Sequence, residues 1–207
     1  MIRIAACLTV LFALPALAED KPPRFEITPF AGYRLGGTFE DDETGDELEL
    51  EDSGSFGVSL NMQAEANTQY ELTYSHQSTD IDVSDVLPGA PDLDIDLDYL
   101  QIGGTYLWDG NVARPFLVAT VGIAHLDPDA SDLDSETYFA FSIGGGWKVF
   151  PTRRLGLRLE GRFYGTVLES DSAVFCRSGP EGTGCLLRTT GELLWQWEML
   201  AGASFRF

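Results

Sequence analysis

The residues able to do chemistry in this 207-residue chain are few and unevenly spread. There are two histidines, His76 and His125, and three cysteines, Cys7, Cys176 and Cys185. His76-Gln77-Ser78 sets a base and a hydroxyl two residues apart. In a strand both would lie on one face, where a His can activate a Ser as a nucleophile. His125 precedes Asp127 and has no nucleophile in reach by sequence. A second group is Arg158-Leu159-Glu160-Gly161-Arg162, in which the charges alternate in sign at the same period. If strands share an interior, Glu26, Arg34, Glu65, Glu71 and Glu198 join Arg158, Glu160 and Arg162 there. Such groups either neutralise one another or line a path for ions and small solutes. Unpaired interior charges are costly, so stability requires opposite signs on facing strands.

Acidic side chains dominate the rest. Thirteen Lys and Arg stand against 33 Asp and Glu, a formal charge of −20. Nine acids fall in residues 40–52, seven in 80–98 and five in 127–136. Clustered carboxylates suit divalent cations such as Ca²⁺ or Mg²⁺, so these are possible partners. No calcium-loop spacing is present: Asp127-Pro128-Asp129-Ala130-Ser131 begins one, then lacks Gly at its sixth position and an acid at its twelfth. The expectation is a solvated, like-charged surface with no defined metal site and no cofactor. Lys21, Arg24, Arg114, Lys148, Arg153 and Arg154 gather elsewhere, and no basic face for nucleic acid forms. Cys176 and Cys185 lack a nearby His to complete a zinc site, and their spacing is not the C-x-x-C of redox pairs. In an exported chain such a pair reads as one disulfide.

Export is what the beginning of the chain implies. Met1-Ile2-Arg3, an apolar run from Ile4 to Leu17, and Ala16-Leu17-Ala18 before Glu19 form the pattern of a secretory signal peptide over residues 1–18. Residues 19–207 then form one domain. No other stretch approaches the ~18 apolar residues of a membrane-spanning helix. A mature chain that enters a membrane must therefore do so as a closed barrel.

The elements agree with that. From Thr190 to Phe207, alternate positions give Leu193, Trp195, Trp197, Met199, Ala201, Ala203, Phe205 and Phe207 on one face. Period-two patterning recurs over about 24–35, 55–65, 69–78, a strand ending at Trp108, 115–125, 136–149 and a strand over Leu155–Val167. In the strand ending at Trp108, Leu100, Ile102, Tyr106 and Trp108 share one phase, while Leu93, Ile95, Leu97 and Tyr99 take the other. Either the strand rises out of the bilayer there or a bulge shifts its register. Long acidic connections alternate with short turns such as Asp109-Gly110-Asn111, and both ends of the domain fall on the short-turn side. The expected fold is all-β: an eight-stranded antiparallel transmembrane up-and-down β-barrel, apolar outside and polar within. A soluble barrel would invert those faces; the export signal and aromatic girdles favour the membrane.

The pattern resembles the small outer-membrane β-barrel superfamily, the OmpA/OmpX/OmpW-type barrels. The resemblance covers all the mature strands, and its most specific element is the alternating aromatic ending. In that superfamily a terminal Phe in such a strand is a recognition signal for assembly, which would give Phe205 and Phe207 that role. It implies the outer membrane of a Gram-negative bacterium, with outer-membrane lipid and the barrel assembly machinery as partners and a monomeric barrel. It also implies a structural or surface-interaction role, with a narrow porin-like channel as the alternative, and no enzyme activity. His76-Gln77-Ser78 is similar to the His-x-Ser element of lipid A deacylases, whose His activates a Ser on the barrel's outer wall. Here it falls in the third strand, outside that family's position, and no acid can be assigned to orient the His.

Overall fold

The structure is a computed structural model that describes residues 24–40, 47–81, 93–128, 135–168, 172–179, 182–189 and 193–207. The expected signal peptide, residues 1–18, lies outside them. Twelve strands are present among the described residues: β1 (Phe25–Leu35), β2 (Thr38–Glu40), β3 (Glu47–Glu49), β4 (Ser53–Glu65), β5 (Thr68–Ile81), β6 (Leu93–Leu107), β7 (Ala113–Pro128), β8 (Glu136–Val149), β9 (Leu155–Val167), β10 (Ser172–Gly179), β11 (Gly182–Thr189) and β12 (Leu193–Arg206). Eight of them close into a barrel in the order β1-β12-β9-β8-β7-β6-β5-β4. Each pairs antiparallel with its neighbours, as an up-and-down barrel requires. The remaining strands form two ribbons, β2–β3 and β10–β11, inside two of the long connections. The polar segment after the first strand thus contains a short hairpin that alternation could not reveal in so acidic a stretch.

Closure is legible in the register. Pairing runs around the wall through Ile27, Leu60, Leu72, Ile102, Val121, Phe141, Gly165 and Trp195. Back at β1, however, Ile27 pairs with Phe205, so the circuit is staggered by 205 − 195 = 10 residues along β12. Such stagger tilts the strands and fixes the radius of an eight-stranded wall, whose interior is just wide enough to be filled by side chains. The seam is completed at one end by reciprocal backbone bonds between Phe25 and Phe207, at 3.1 and 3.0 Å, with their rings stacked 6.2 Å apart.

The lipid-facing surface is the expected one. Leu60, Leu72, Ile102, Leu117, Val121, Ile143, Leu157 and Trp197 all stand exposed on the outer wall. Only because the surrounding solvent is hydrocarbon does exposing them carry no cost. Barrel strands of up to 16 residues, as in β7, exceed the roughly 9–11 needed to cross a bilayer. The excess explains the odd phase of β6. Its register against β5 runs unbroken from Tyr106 to Leu93, without a bulge, so the strand simply continues upward. Below, Leu100 and Ile102 face out; above, Asp94 faces out while Ile95, Leu97 and Tyr99 are buried. Those three join Leu50, Ala124, Leu126, Tyr138, Ala140, Tyr164, Leu168 and Leu194 in an apolar cluster inside the barrel. In its upper part the wall follows the rule of a soluble protein, apolar within and acidic without.

Candidate functional site

The lumen beneath that apolar cluster is a charge network whose ions come from β1, β5, β8, β9 and β12, with polar partners on β4 and β6. Four cations, Arg34, Lys148, Arg158 and Arg162, and four carboxylates, Glu26, Glu71, Glu160 and Glu198, are buried there. Their formal charges cancel, so the excess negative charge of the chain lies elsewhere. Period two dictates the arrangement, since alternate residues of β9 must all point inward. Arg158 Nε and Arg162 Nε donate to opposite oxygens of Glu160, both at 2.7 Å. From across the bore Glu71 receives Arg162 Nη2 at 2.7 Å and Arg158 Nη1 at 3.0 Å. Asn61 and Thr105 each donate to the second oxygen of Glu71 at 2.8 Å.

Above this square, Arg34 donates to Glu198 at 3.1 Å, and Ser55 and Tyr164 complete the carboxylate's shell at 2.5 and 2.7 Å. The Arg34 guanidinium lies over two rings that touch each other, 4.9 Å from the centroid of Tyr99 and 4.6 Å from that of Tyr164, whose centroids are 4.7 Å apart. Tyr99 donates in turn to Gln196 at 3.0 Å. Below the square, Lys148 donates to Glu26 at 2.7 Å and Gln69 at 2.9 Å, and Arg206 reaches the other oxygen of Glu26 at 3.0 Å. Desolvation of so many ions is offset only because each has a close partner. The arrangement can hold the wall rigid, and it leaves these groups engaged with one another rather than with a solute.

Six charges grouped by sequence, Arg34, Glu71, Arg158, Glu160, Arg162 and Glu198, therefore meet in the bore, and Glu26 meets them through Lys148. Glu65 does not. A register shift between Gln63 and Glu65 places it at the short β4–β5 turn, where it is exposed at the mouth of the barrel. Lys148 belongs to the network although sequence grouping set it among bases near the short connections. Its place on the inward phase of β8, with Ser142 and Gly144, was the available signal. At the short-turn mouth a pocket of about 540 Å³ is lined by residues including Arg24, Glu65, Arg114 and Arg206.

The outer wall holds a second constellation. His76 and Ser78 share the outer face of β5, with Ser78 Oγ 3.2 Å from His76 Nε2. The orienting acid that sequence could not name is Asp98, the residue directly across from His76 in the β5–β6 register. His76 Nδ1 donates to Asp98 Oδ1 at 2.8 Å, and the same oxygen accepts the Tyr74 hydroxyl at 2.8 Å. Ser78 donates to Asp96 Oδ1 at 2.6 Å. His125, paired in register with Asp98, is bonded to Thr137 at 2.8 Å.

Phe205 and Phe207 are exposed on the lipid-facing wall at the short-turn end. Cys176 and Cys185 stand directly opposite each other in the β10–β11 register. A bond between them depends on side chains outside the described ones. Most of the acidic loop residues also lie outside the described residues. Among those described, no group of three or more His, Cys, Asp or Glu is placed to hold a metal ion.

A closed, tilted, eight-stranded wall with a hydrocarbon-facing exterior and a filled polar bore defines the class: an outer-membrane β-barrel. The chain belongs to the outer membrane protein beta-barrel domain family, whose model matches residues 4–181. It is a protein of the cell outer membrane. No curated protein sequence matches it. Among solved structures it is similar to Neisserial surface protein A, at TM-score 0.60 and 13% identity over 88% of this chain and 97% of that one. It is similar also to OprG from Pseudomonas aeruginosa, at 0.53 and 13% over 90% of this chain and 97% of that one. The outer membrane protein AlkL, solved in lipid bilayers, aligns at 0.51 and 13% over 96% and 97% of the two chains. At these identities the likeness concerns the fold alone.

Proposed function

We propose that this protein is a non-conducting outer-membrane barrel with a structural and surface-interaction role, its acidic connections facing outward. The observation that carries this is the bore. Four buried cations and four buried carboxylates pair across it, and an apolar layer that includes Tyr99, Leu97 and Leu126 lies above them. A permeating ion would have to break charge-assisted bonds as short as 2.7 Å and then cross the apolar layer. The short-turn end, with Phe205 and Phe207, is then periplasmic and available to the assembly machinery. Outer-membrane lipid surrounds a monomeric wall, divalent cations bridge the acidic loops to anionic neighbours, and a Cys176–Cys185 disulfide staples the outermost ribbon.

The test is single-channel conductance of the refolded barrel in planar bilayers, beside a variant carrying Arg158→Gln, Glu160→Gln and Arg162→Gln. Silence in the parent is the expected result. Steady conductance that shifts with those three charges would replace this reading with that of a narrow solute channel.

A further inference from the structure

We propose that Ser78, His76 and Asp98 form a serine hydrolase centre on the outer wall, cleaving the acyl ester of a zwitterionic diacyl lipid at headgroup level. The idea goes beyond the closed-bore reading and rests on it only for the outward orientation of the acidic end.

The geometry is that of an ordered base. Because His76 Nδ1–H is donated to Asp98 at 2.8 Å, the neutral ring presents Nε2 as an acceptor, 3.2 Å from Ser78 Oγ. Tyr74 fixes the Asp98 carboxylate from below at 2.8 Å, and the ring of Phe56 lies 5.0 Å from that of His76. Nucleophile, base and orienting acid thus occupy two adjacent strands, in the roles that define such a triad.

Position selects the substrate. The triad sits at the step where the wall changes solvent: Phe56 opposite His76, with Tyr74 and Leu100 below, is exposed and apolar, while Asp96 opposite Ser78, with Asp94 above, is exposed and acidic. Hydrocarbon seats the acyl chain, and the ester of a diacyl lipid lies at the boundary between chain and headgroup. Asp94, Asp96 and Asp98 would repel an anionic headgroup and accept a cationic one, which favours the zwitterionic lipid.

In the first step Ser78 Oγ bonds to the ester carbonyl carbon as its proton passes to His76 Nε2. The resulting tetrahedral adduct expels the alcohol oxygen, which takes that proton, and an acyl-Ser78 ester remains. Water then attacks the acyl carbon, giving a proton to His76. Collapse releases the fatty acid and returns the proton to Ser78. Ser78 is paired with Asp96 in the β5–β6 register, and the β4–β5 pairing ends one residue before it, at Ser55 and Gln77. His76 and Ser78 are the catalytic residues; Asp98 is a positioning residue. Asp96 competes for the Ser78 proton at 2.6 Å.

The experiment uses the full barrel refolded in zwitterionic micelles, each variant first checked for heat-modifiable migration. A fluorophosphonate probe should label the parent at Ser78, located by peptide mass. Ser78→Ala should not label, and His76→Ala should label at least ~100-fold more slowly. With a short-chain zwitterionic diacyl phospholipid, Asp98→Asn should lower kcat with KM unchanged, whereas a purely structural role would change both. Asp96→Asn should label no more slowly than the parent; slower labelling would transfer the orienting role to Asp96. A folded parent that remains unlabelled, or a Ser78→Ala protein that labels equally, overturns the triad. Hydrolysis of lipopolysaccharide acyl chains but not of the zwitterionic lipid overturns the headgroup assignment. Micelles have no sidedness, so an error in orientation would show separately, as loops protected from protease on whole cells while labelling persists.

Discussion

Replacing Glu71 with Gln tests whether the bore is a neutral, mutually paired network. Glu71 accepts from Arg162 at 2.7 Å and Arg158 at 3.0 Å with no solvent exposure of its side chain. The substitution keeps the shape but removes one of four buried carboxylates facing four buried cations, leaving the bore with a net positive charge. Gln also turns an N–H₂ group toward at least one of the donors Arg158, Arg162, Asn61 and Thr105. Removing one partner of a buried ion pair costs about 3–5 kcal/mol, or roughly two to four powers of ten in the folding equilibrium. Glu160 still bridges both arginines, which puts the expected loss near the lower end of that range, about 3 kcal/mol. The assay is urea unfolding of the barrel in lipid vesicles followed by tryptophan fluorescence. Trp108, Trp147, Trp195 and Trp197 are all exposed on the outside and report loss of the lipid environment. Adding Arg158→Met restores neutrality and should recover part of the loss, with a coupling of about 1–3 kcal/mol between the sites. A Glu71→Gln barrel within about 0.5 kcal/mol of the parent, or a double variant worse than the sum of the singles, would refute the network as the source of rigidity.

Two further outcomes follow from the wall and from the outer ribbon. A Cβ at Gly146 would lie 1.9 Å from the carbonyl oxygen of Leu159, so Gly146→Val should prevent β8–β9 closure; the unheated protein should then migrate in detergent gels at its unfolded position. The opposed register of Cys176 and Cys185 should protect both thiols from alkylation in exported protein until reductant is added; the bond closes a short loop and should stabilise the ribbon by roughly 2–3 kcal/mol.

The strands were readable because the outward phase of a membrane barrel is a plain period-two signal. Leu155, Leu157, Leu159 and Phe163 announce β9 without any tertiary information. On β7 no polar face marks the phase in the sequence, and the structure turns Leu117, Ala119, Val121 and Ile123 outward. The upper half of β6 was ambiguous because periodicity gives the two faces of a strand but not the solvent on either. Asp98 and Ile95 carry the same pattern whether a bulge intervenes or the bilayer ends. Pairing partners were legible only in kind. Arg34 and Glu198 are cross-strand neighbours, yet Arg158 meets Glu71 across the bore, a contact set by barrel radius and stagger rather than by spacing. Asp98 was hidden for a related reason: its position opposite His76 depends on the residue count through a long connection. Glu65 was misplaced by a single irregularity, the bulge at the β4–β5 turn.

The change of solvent along β6 also governs how the protein floats. Between Leu100 and Asp98 the exterior turns from apolar to acidic, and between Gln101 and Tyr99 the interior turns from polar to aromatic, within the same step of the chain. Sinking the barrel by one pair of residues would drag Asp98 and its neighbour His125 into hydrocarbon; raising it would lift Leu100 and Ile123 into water. The wall thus carries its own draught mark. A leaflet of another thickness must pinch or swell around this molecule at a cost of fractions of a kcal/mol per Å, because the molecule has no second depth at which to ride.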